Sequence, residues 1–157
     1  MIVTHAGLDD LDAIMELEQG GFTDGWSRDS WAAELTGPWR HVMAYRDAEG
    51  RLVAVATLQI LDEVADLLRV VVAADRRREG IGRRLLIAGV QLAQAAGAHR
   101  MLLEVEADNI AALAVYARLG FVPIDRRGDY YGPGRHAIVM ELAIRTRTAE
   151  SSLEVAS

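Results

Sequence analysis

Residues 68–86 read LRVVVAADRRREGIGRRLL, and the order of their parts decides the fold. The β-branched run Val70-Val71-Val72 predicts a strand. The glycine-spaced Arg78-Glu79-Gly80-Ile81-Gly82-Arg83 predicts a tight turn, and the stripe that follows predicts a helix from about Arg83 to Ala96. A strand that ends in such a turn and feeds a helix gathers free backbone N–H groups around an anion, and the helix dipole adds to their field. Gly80 and Gly82 carry no side chain to block close approach. Arg78 and Arg83 can add charge-assisted bonds to phosphate oxygens. The segment therefore reads as a pyrophosphate cradle, with Arg76 and Arg84 as solvated neighbours. It lacks the GKS/T of a P-loop and the GxGxxG of a dinucleotide site. The alternative is a tight turn with a solvated basic helix start, in which arginine would oppose the dipole.

Working outward, Ile2–His5 reads as a first strand. Leu8–Gln19 has helical spacing, with Leu8, Leu11, Ile14, Met15 and Leu17 on one side and Gly20-Gly21 as the stop. Ser27 caps a second helix, Arg28–Leu35, stopped by Gly37-Pro38. Val42–Arg46 and Leu52–Leu61 form a hairpin around Asp47-Ala48-Glu49-Gly50. Val64–Ala73 is mostly apolar and predicts a central strand covered on both faces. After the helix, Met101–Glu106 is a strand and Asn109–Leu119 a helix closed by Gly120. Phe121–Ile124 and Ala137–Ile144 are last strands joined by a loop rich in Gly, Arg and Tyr. The order β-α-α-β-β-β-α-β-α-β-β predicts an α/β fold. Its mixed, mostly antiparallel sheet has a central parallel βαβ unit and helices on both faces. Residues 1–144 are expected to form a single domain, and 145–157 a polar tail without order.

Bulk properties narrow the function. The 157 residues suit one domain, and the net charge of −6 disfavours a duplex nucleic acid as partner and favours a basic one. Cysteine is absent, which excludes a catalytic thiol and zinc–thiolate sites; no metal is expected. The first residues, MIVTHAGLDDLDAIMEL, lack the basic region of a signal peptide, and no apolar run spans a membrane, so the expected location is the cytoplasm.

The strand–turn–helix of 68–86 resembles the cofactor motif of the GNAT acetyltransferases, Q/R-x-x-G-x-G/A. Arg77 stands at the Q/R position and Gly80 and Gly82 at the glycines. LLEVEADNIAALAVYARLGF, residues 102–121, resembles more narrowly the bacterial ribosomal-protein-alanine N-acetyltransferases, the RimI group; so does the RRGDYYG loop followed by IVMEL. The resemblance implies a GNAT fold and transfer of acetyl from acetyl-CoA to an amine, with a ribosomal-protein N-terminus as acceptor. It implies that Val70, Val71 and Val72 pair with the pantetheine arm, that Arg77–Arg83 hold the pyrophosphate, and that Asn109 contacts the cofactor. It assigns Glu104 as general base and Tyr116 as general acid.

Chemistry agrees with these assignments. A protonated amine cannot attack a thioester until a base takes its proton, and the departing thiolate needs a proton in return. Glu104 alternates with Leu103 and Val105, so it shares a strand face with Leu102 and Glu106. Asn109 and Tyr116 are seven residues apart, which at about 100° per residue puts both on one helix face. Each residue also has a plainer reading: Glu104 exposed on its strand, Asn109 a helix cap, Tyr116 a core residue. On the acceptor side stand Asp24-Gly25-Trp26-Ser27 and Arg127-Gly128-Asp129-Tyr130-Tyr131-Gly132. Trp26, Tyr130 and Tyr131 are candidates to hold a peptide. Gly25, Asp129 and Gly132 depart from the related enzymes, which often carry Pro-Trp-Ser and Asn-Tyr-Tyr-Pro there. Two rivals stay open: a GNAT enzyme for lysine, a polyamine or another small amine, and a non-catalytic CoA-binding module.

Overall fold

The computed structural model describes residues 2–20 and 25–145. Among them, seven strands and four α-helices follow one another as β1 (Ile2–His5), α1 (Leu11–Gln19), α2 (Arg28–Thr36), β2 (Arg40–Arg46), β3 (Leu52–Leu61), β4 (Val64–Val72), α3 (Ile81–Ala95), β5 (Arg100–Glu106), α4 (Ile110–Leu119), β6 (Val122–Gly132) and β7 (Arg135–Ala143). The sheet order is β1-β2-β3-β4-β5-β7-β6. It is mixed with one parallel pair, as a strand–helix–strand crossover requires. The residues pack as two compact units, one of residues up to Gln59 with Asp66–Gly89, the other of Ile60–Ala65 with Val90 onward.

In the first unit, β1 and β3 flank β2 in antiparallel register, with Val3 opposite Tyr45 and Val42 opposite Thr57. Leu11, Ile14 and Leu17 of α1 and Trp31 of α2 close over Val42, Ala44, Leu52, Val55 and Val71. Leu8, expected in the stripe of α1, lies instead in a short 3-10 turn and is exposed, because the α-helix starts only at Leu11. Ser27 caps α2 as expected, accepting from the Ser30 backbone N–H at 3.1 Å. On β4 the expectation of cover on both faces fails. Ala65, Leu67 and Val71 are buried, whereas Leu68, Val70 and Val72 form a half-open face.

In the second unit β7 lies between β5 and β6, antiparallel to both. Met101, Leu103 and Val105 are buried, and Leu102, Glu104 and Glu106 share the more open face, as their alternation predicts. The last hairpin departs from expectation. Of the loop expected over residues 125–136, residues 125–132 belong to β6 and 135–136 to β7, and the turn between them is Pro133-Gly134. The register is lost between Arg127 and Gly132, so the segment bulges rather than pairs. Asp129 takes a left-handed φ of 53° there, and Gly132, at φ 140°, has a backbone only glycine adopts readily. The residues expected to form the polar tail lie, from 146 onward, outside those described.

Candidate active site

The first unit holds the glycine turn. β4 stops at Val72, a 3-10 turn covers Ala74–Arg76, and α3 starts at Ile81, two residues earlier than its sequence stripe suggests. The bond from the Arg84 N–H to the Gly80 carbonyl, 3.1 Å, is the opening turn of the helix. By helix geometry, the N–H groups of Ile81, Gly82 and Arg83 have no partner within α3. The two glycines serve differently. Gly80 has φ 78° and open space where a Cβ would stand, so the backbone angle demands it. Gly82 has no such angle, and a Cβ there would meet only Val72 Cγ2, at 3.5 Å. Among the described residues, nothing requires glycine at 82. Arg78 takes a left-handed φ of 66°. That region is uncommon for a residue without a short polar side chain.

Two of the arginines are not the solvated neighbours expected. Arg76 pairs with Glu79 at 2.9 Å and Asp47 at 3.6 Å, and Arg84 donates to the Tyr45 hydroxyl at 3.1 Å. These contacts fix the flanks of the turn, and Arg76 neutralises the one acid within it. Val71 is buried while Val70 and Val72 stay half-exposed. In the same unit Trp26 is half-buried, its ring 5.2 Å from that of Trp31 and 5.4 Å from the Arg69 guanidinium. Glu18, buried, joins this group by accepting from the Trp31 indole at 2.8 Å and pairing with Arg69 at 2.7 Å. Asp24, expected beside Trp26, lies outside the described residues.

The second unit brings Glu104, Tyr116, Tyr130 and Tyr131 into one neighbourhood, and Asn109 opens the helix that carries Tyr116. Glu104 pairs with Arg127 of β6 at 3.0 Å. The Tyr130 phenol is raised, first by its hydrogen bond to Glu104 and then by burial, and the Arg127 guanidinium sits 5.6 Å from its ring. Two residues along β5 the pattern repeats. Glu106 pairs with Arg135, whose guanidinium lies 5.8 Å from the Tyr131 ring. The two tyrosine rings meet edge to face at 5.0 Å, a favoured arrangement for aromatic quadrupoles. Tyr131 is pushed up to about 12, by burial first and then by the nearby Glu104, Tyr130, Glu106 and Tyr116. Burial raises the Tyr116 phenol also, so it stays protonated well past neutrality.

Asn109 is a helix cap, as its plainer reading holds: its carbonyl oxygen accepts from the Ala112 N–H at 3.2 Å. Capping of this kind satisfies one of the free donors at a helix start. The cap uses the oxygen only; the amide N–H2, two donors, faces no such demand. Tyr116 is held from below. Its carbonyl accepts from the Phe121 N–H at 3.0 Å. Its ring lies 5.9 Å from that of Phe121. Gly120 ends the helix with φ 105°, the left-handed stop that glycine favours. Asp129 acts within the hairpin, its carboxylate accepting from the Gly134 N–H at 2.8 Å and its own N–H donating to His136 Nδ1 at 3.0 Å. Sequence reading missed Arg127, Arg135 and Glu106. The signal was there as two acids spaced by two on β5 and arginines at both ends of the tyrosine pair.

Residues 11–121 match the acetyltransferase (GNAT) family. The chain belongs to that family, and it is an acetyl-CoA-dependent N-acetyltransferase. It is 33% identical to the ribosomal protein bS18-alanine N-acetyltransferase of Escherichia coli (strain K12), over 86% of this chain and 92% of that one. The crystal structure of the ribosomal-protein-S18-alanine N-acetyltransferase from Escherichia coli superposes with a TM-score of 0.87 at 29% identity, covering 94% and 96% of the two chains. The mycothiol acetyltransferase of Clavibacter michiganensis is 39% identical over 66% of this chain, which spans 34% of that protein. Among the described residues no group of acids and histidines is placed to hold a metal ion, and no helix is long and apolar enough to cross a membrane.

Proposed function

We propose that the protein, in the cytoplasm, transfers acetyl from acetyl-CoA to the α-amine of a protein N-terminus, most specifically an N-terminal alanine of a small-subunit ribosomal protein. Residues 1–144 act as its single catalytic domain. The observation that carries this reading is the carboxylate Glu104 among Tyr116, Tyr130 and Tyr131, in a chain similar over most of its length to enzymes with that acceptor.

Acetyl-CoA supplies the activated acetyl group. The N–H groups opening α3, with Arg77, Arg78 and Arg83, would hold its pyrophosphate, and the side-chain-free approach at Gly82 fits such a ligand. The half-open face of Val70 and Val72 and the Asn109 amide would take the rest of the arm. Glu104 accepts one proton from the acceptor's ammonium. The freed nitrogen attacks the thioester carbon, the C–S bond breaks, Tyr116 gives a proton to the sulfur, and the second proton lost by the acylated nitrogen restores the phenol. With no cysteine to carry acetyl, attack is direct, in a ternary complex. An α-amine, with pKa of about 8, surrenders its proton more readily than lysine at about 10.4, which favours an N-terminus. Trp26, Tyr130 and Tyr131 would bound the acceptor.

The mycothiol acetyltransferase similarity favours a second reading, a small amine as acceptor. Two peptides separate them: one with a free N-terminal alanine, and the same sequence blocked at its N-terminus and carrying a lysine. This chain contains arginine but no lysine, so it offers no lysine of its own to blur a mass readout. Acetyl on the free N-terminus supports the proposal. Acetyl on the blocked peptide alone, or on neither while a small amine is modified, overturns it.

A further inference from the structure

The contact between Glu104 and Arg127 has a consequence for how the acceptor enters, given the reading of Glu104 as its base. We propose that Arg127 is a displaceable stand-in for the acceptor's ammonium, lying on Glu104 until the incoming amine takes its place. Three observations point there. The Arg127 Nη1 to Glu104 Oε1 distance is 3.0 Å, a separation a bound ammonium would also take. The pair is lightly held, with side chains 51% and 29% exposed. Exposed pairs yield easily to a competing cation. Arg127 also has a second resting place, because its guanidinium already lies 5.6 Å from the centre of the Tyr130 ring. Once pushed off the carboxylate it keeps that face, by cation–π attraction, and stays out of the nitrogen's path. The neighbouring pair differs: Arg135 is bound to Glu106 and also donates to the Tyr131 carbonyl at 3.3 Å, which suits a fixed wall.

Arg127 is thus a specificity-setting competitor. An acceptor that brings a cation able to replace the guanidinium binds more tightly than one with an uncharged N-terminus. The cost is modest, since exposed pairs are worth about 0.2–1 kcal/mol, or about 1.4- to fivefold in binding.

The test is calorimetry with CoA present, which cannot transfer, and a peptide with a free N-terminal alanine. Arg127→Met removes the competitor. Arg126→Met, on the same strand and with its backbone N–H on Asp125, removes the same charge elsewhere. The expected result is a peptide Kd about 1.4- to fivefold lower for Arg127→Met than for Arg126→Met, with Arg127→Lys restoring the wild-type value. An equal or weaker Kd for Arg127→Met overturns the displacement. Glu104→Gln keeps the two readings apart. If it loses turnover while the two methionine variants bind alike, the base assignment stands and the stand-in fails. If it keeps wild-type turnover, the base assignment itself is wrong, and the stand-in falls with it.

Discussion

Glu18→Gln tests whether the Trp26–Trp31 cluster, the proposed acceptor-side wall, rests on a buried charge. The Glu18 side chain is 2% exposed, and that of Arg69, its partner, 15%. Glutamine keeps an oxygen for the Trp31 indole N–H but removes the charge opposite Arg69. Breaking a buried pair by removing one partner costs about 3–5 kcal/mol. Arg69 retains some exposure and lies 5.4 Å from the Trp26 ring. The lower end therefore applies, about 3 kcal/mol. For a chain of this length that lowers Tm by about 6–12 °C. Arg69→Met strands Glu18 instead and is expected to cost at least as much. The double variant removes both charges and is expected to lose less than either single, about 1 kcal/mol. Calorimetric or denaturant unfolding of the three variants reads this directly. A Glu18→Gln loss below about 1 kcal/mol, or a double variant equal to the sum of the singles, refutes the claim that the pair is one energetic unit.

Three further outcomes are expected. Glu104→Gln and Tyr116→Phe each lower kcat by about 10²- to 10⁴-fold in steady-state acetyl transfer, the usual range for losing a general base or acid, with acetyl-CoA affinity little changed. Gly80 has a left-handed φ of 78°, whereas a Cβ on Gly82 finds an ordinary contact. Gly80→Ala therefore costs about 1–2 kcal/mol in thermal unfolding, and Gly82→Ala costs nothing. Burial, then His5, lowers the pKa of His41 from 6.5, so the unfolded chain binds its proton first. Stability present above pH 6.5 is therefore lost as pH falls through that value; His41→Gln flattens that part of a Tm–pH curve.

Most elements were legible because their signals are local. β3 runs from Leu52 to Leu61 as read, and Ser27, Gly97 and Gly120 mark helix ends in the sequence. The last hairpin was not, for a tertiary reason. Gly128, Asp129 and Gly132 spell a loop, yet Arg127 and Arg135 are drawn onto acids of β5 and the Asp129 side chain closes the turn. Those acids stand a whole helix earlier in the chain, beyond any local pattern. The half-open face of β4 was hidden likewise, because Leu68, Val70 and Val72 look no different from their buried neighbours. Family resemblance singled out Glu104, Asn109 and Tyr116, and the structure brings Glu104 and Tyr116 into one neighbourhood. That Asn109 also caps its helix was an alternative the residues left open, and Arg76 with Glu79 shows that a charge run can be partly paired within itself.

The end of α4 carries a consequence for heat. Gly120 stops the helix, and Phe121 then turns back to hold both the carbonyl and the ring of Tyr116. The phenol's position depends on the last helical turn, the part of a helix that frays first. On warming, Tyr116 loses its fixed orientation while the strands still hold together. With Tyr116 as the proposed general acid, inactivation is expected to precede loss of the sheet, and the Tyr-x-x-Leu-Gly-Phe string would set the temperature ceiling of activity rather than that of the fold.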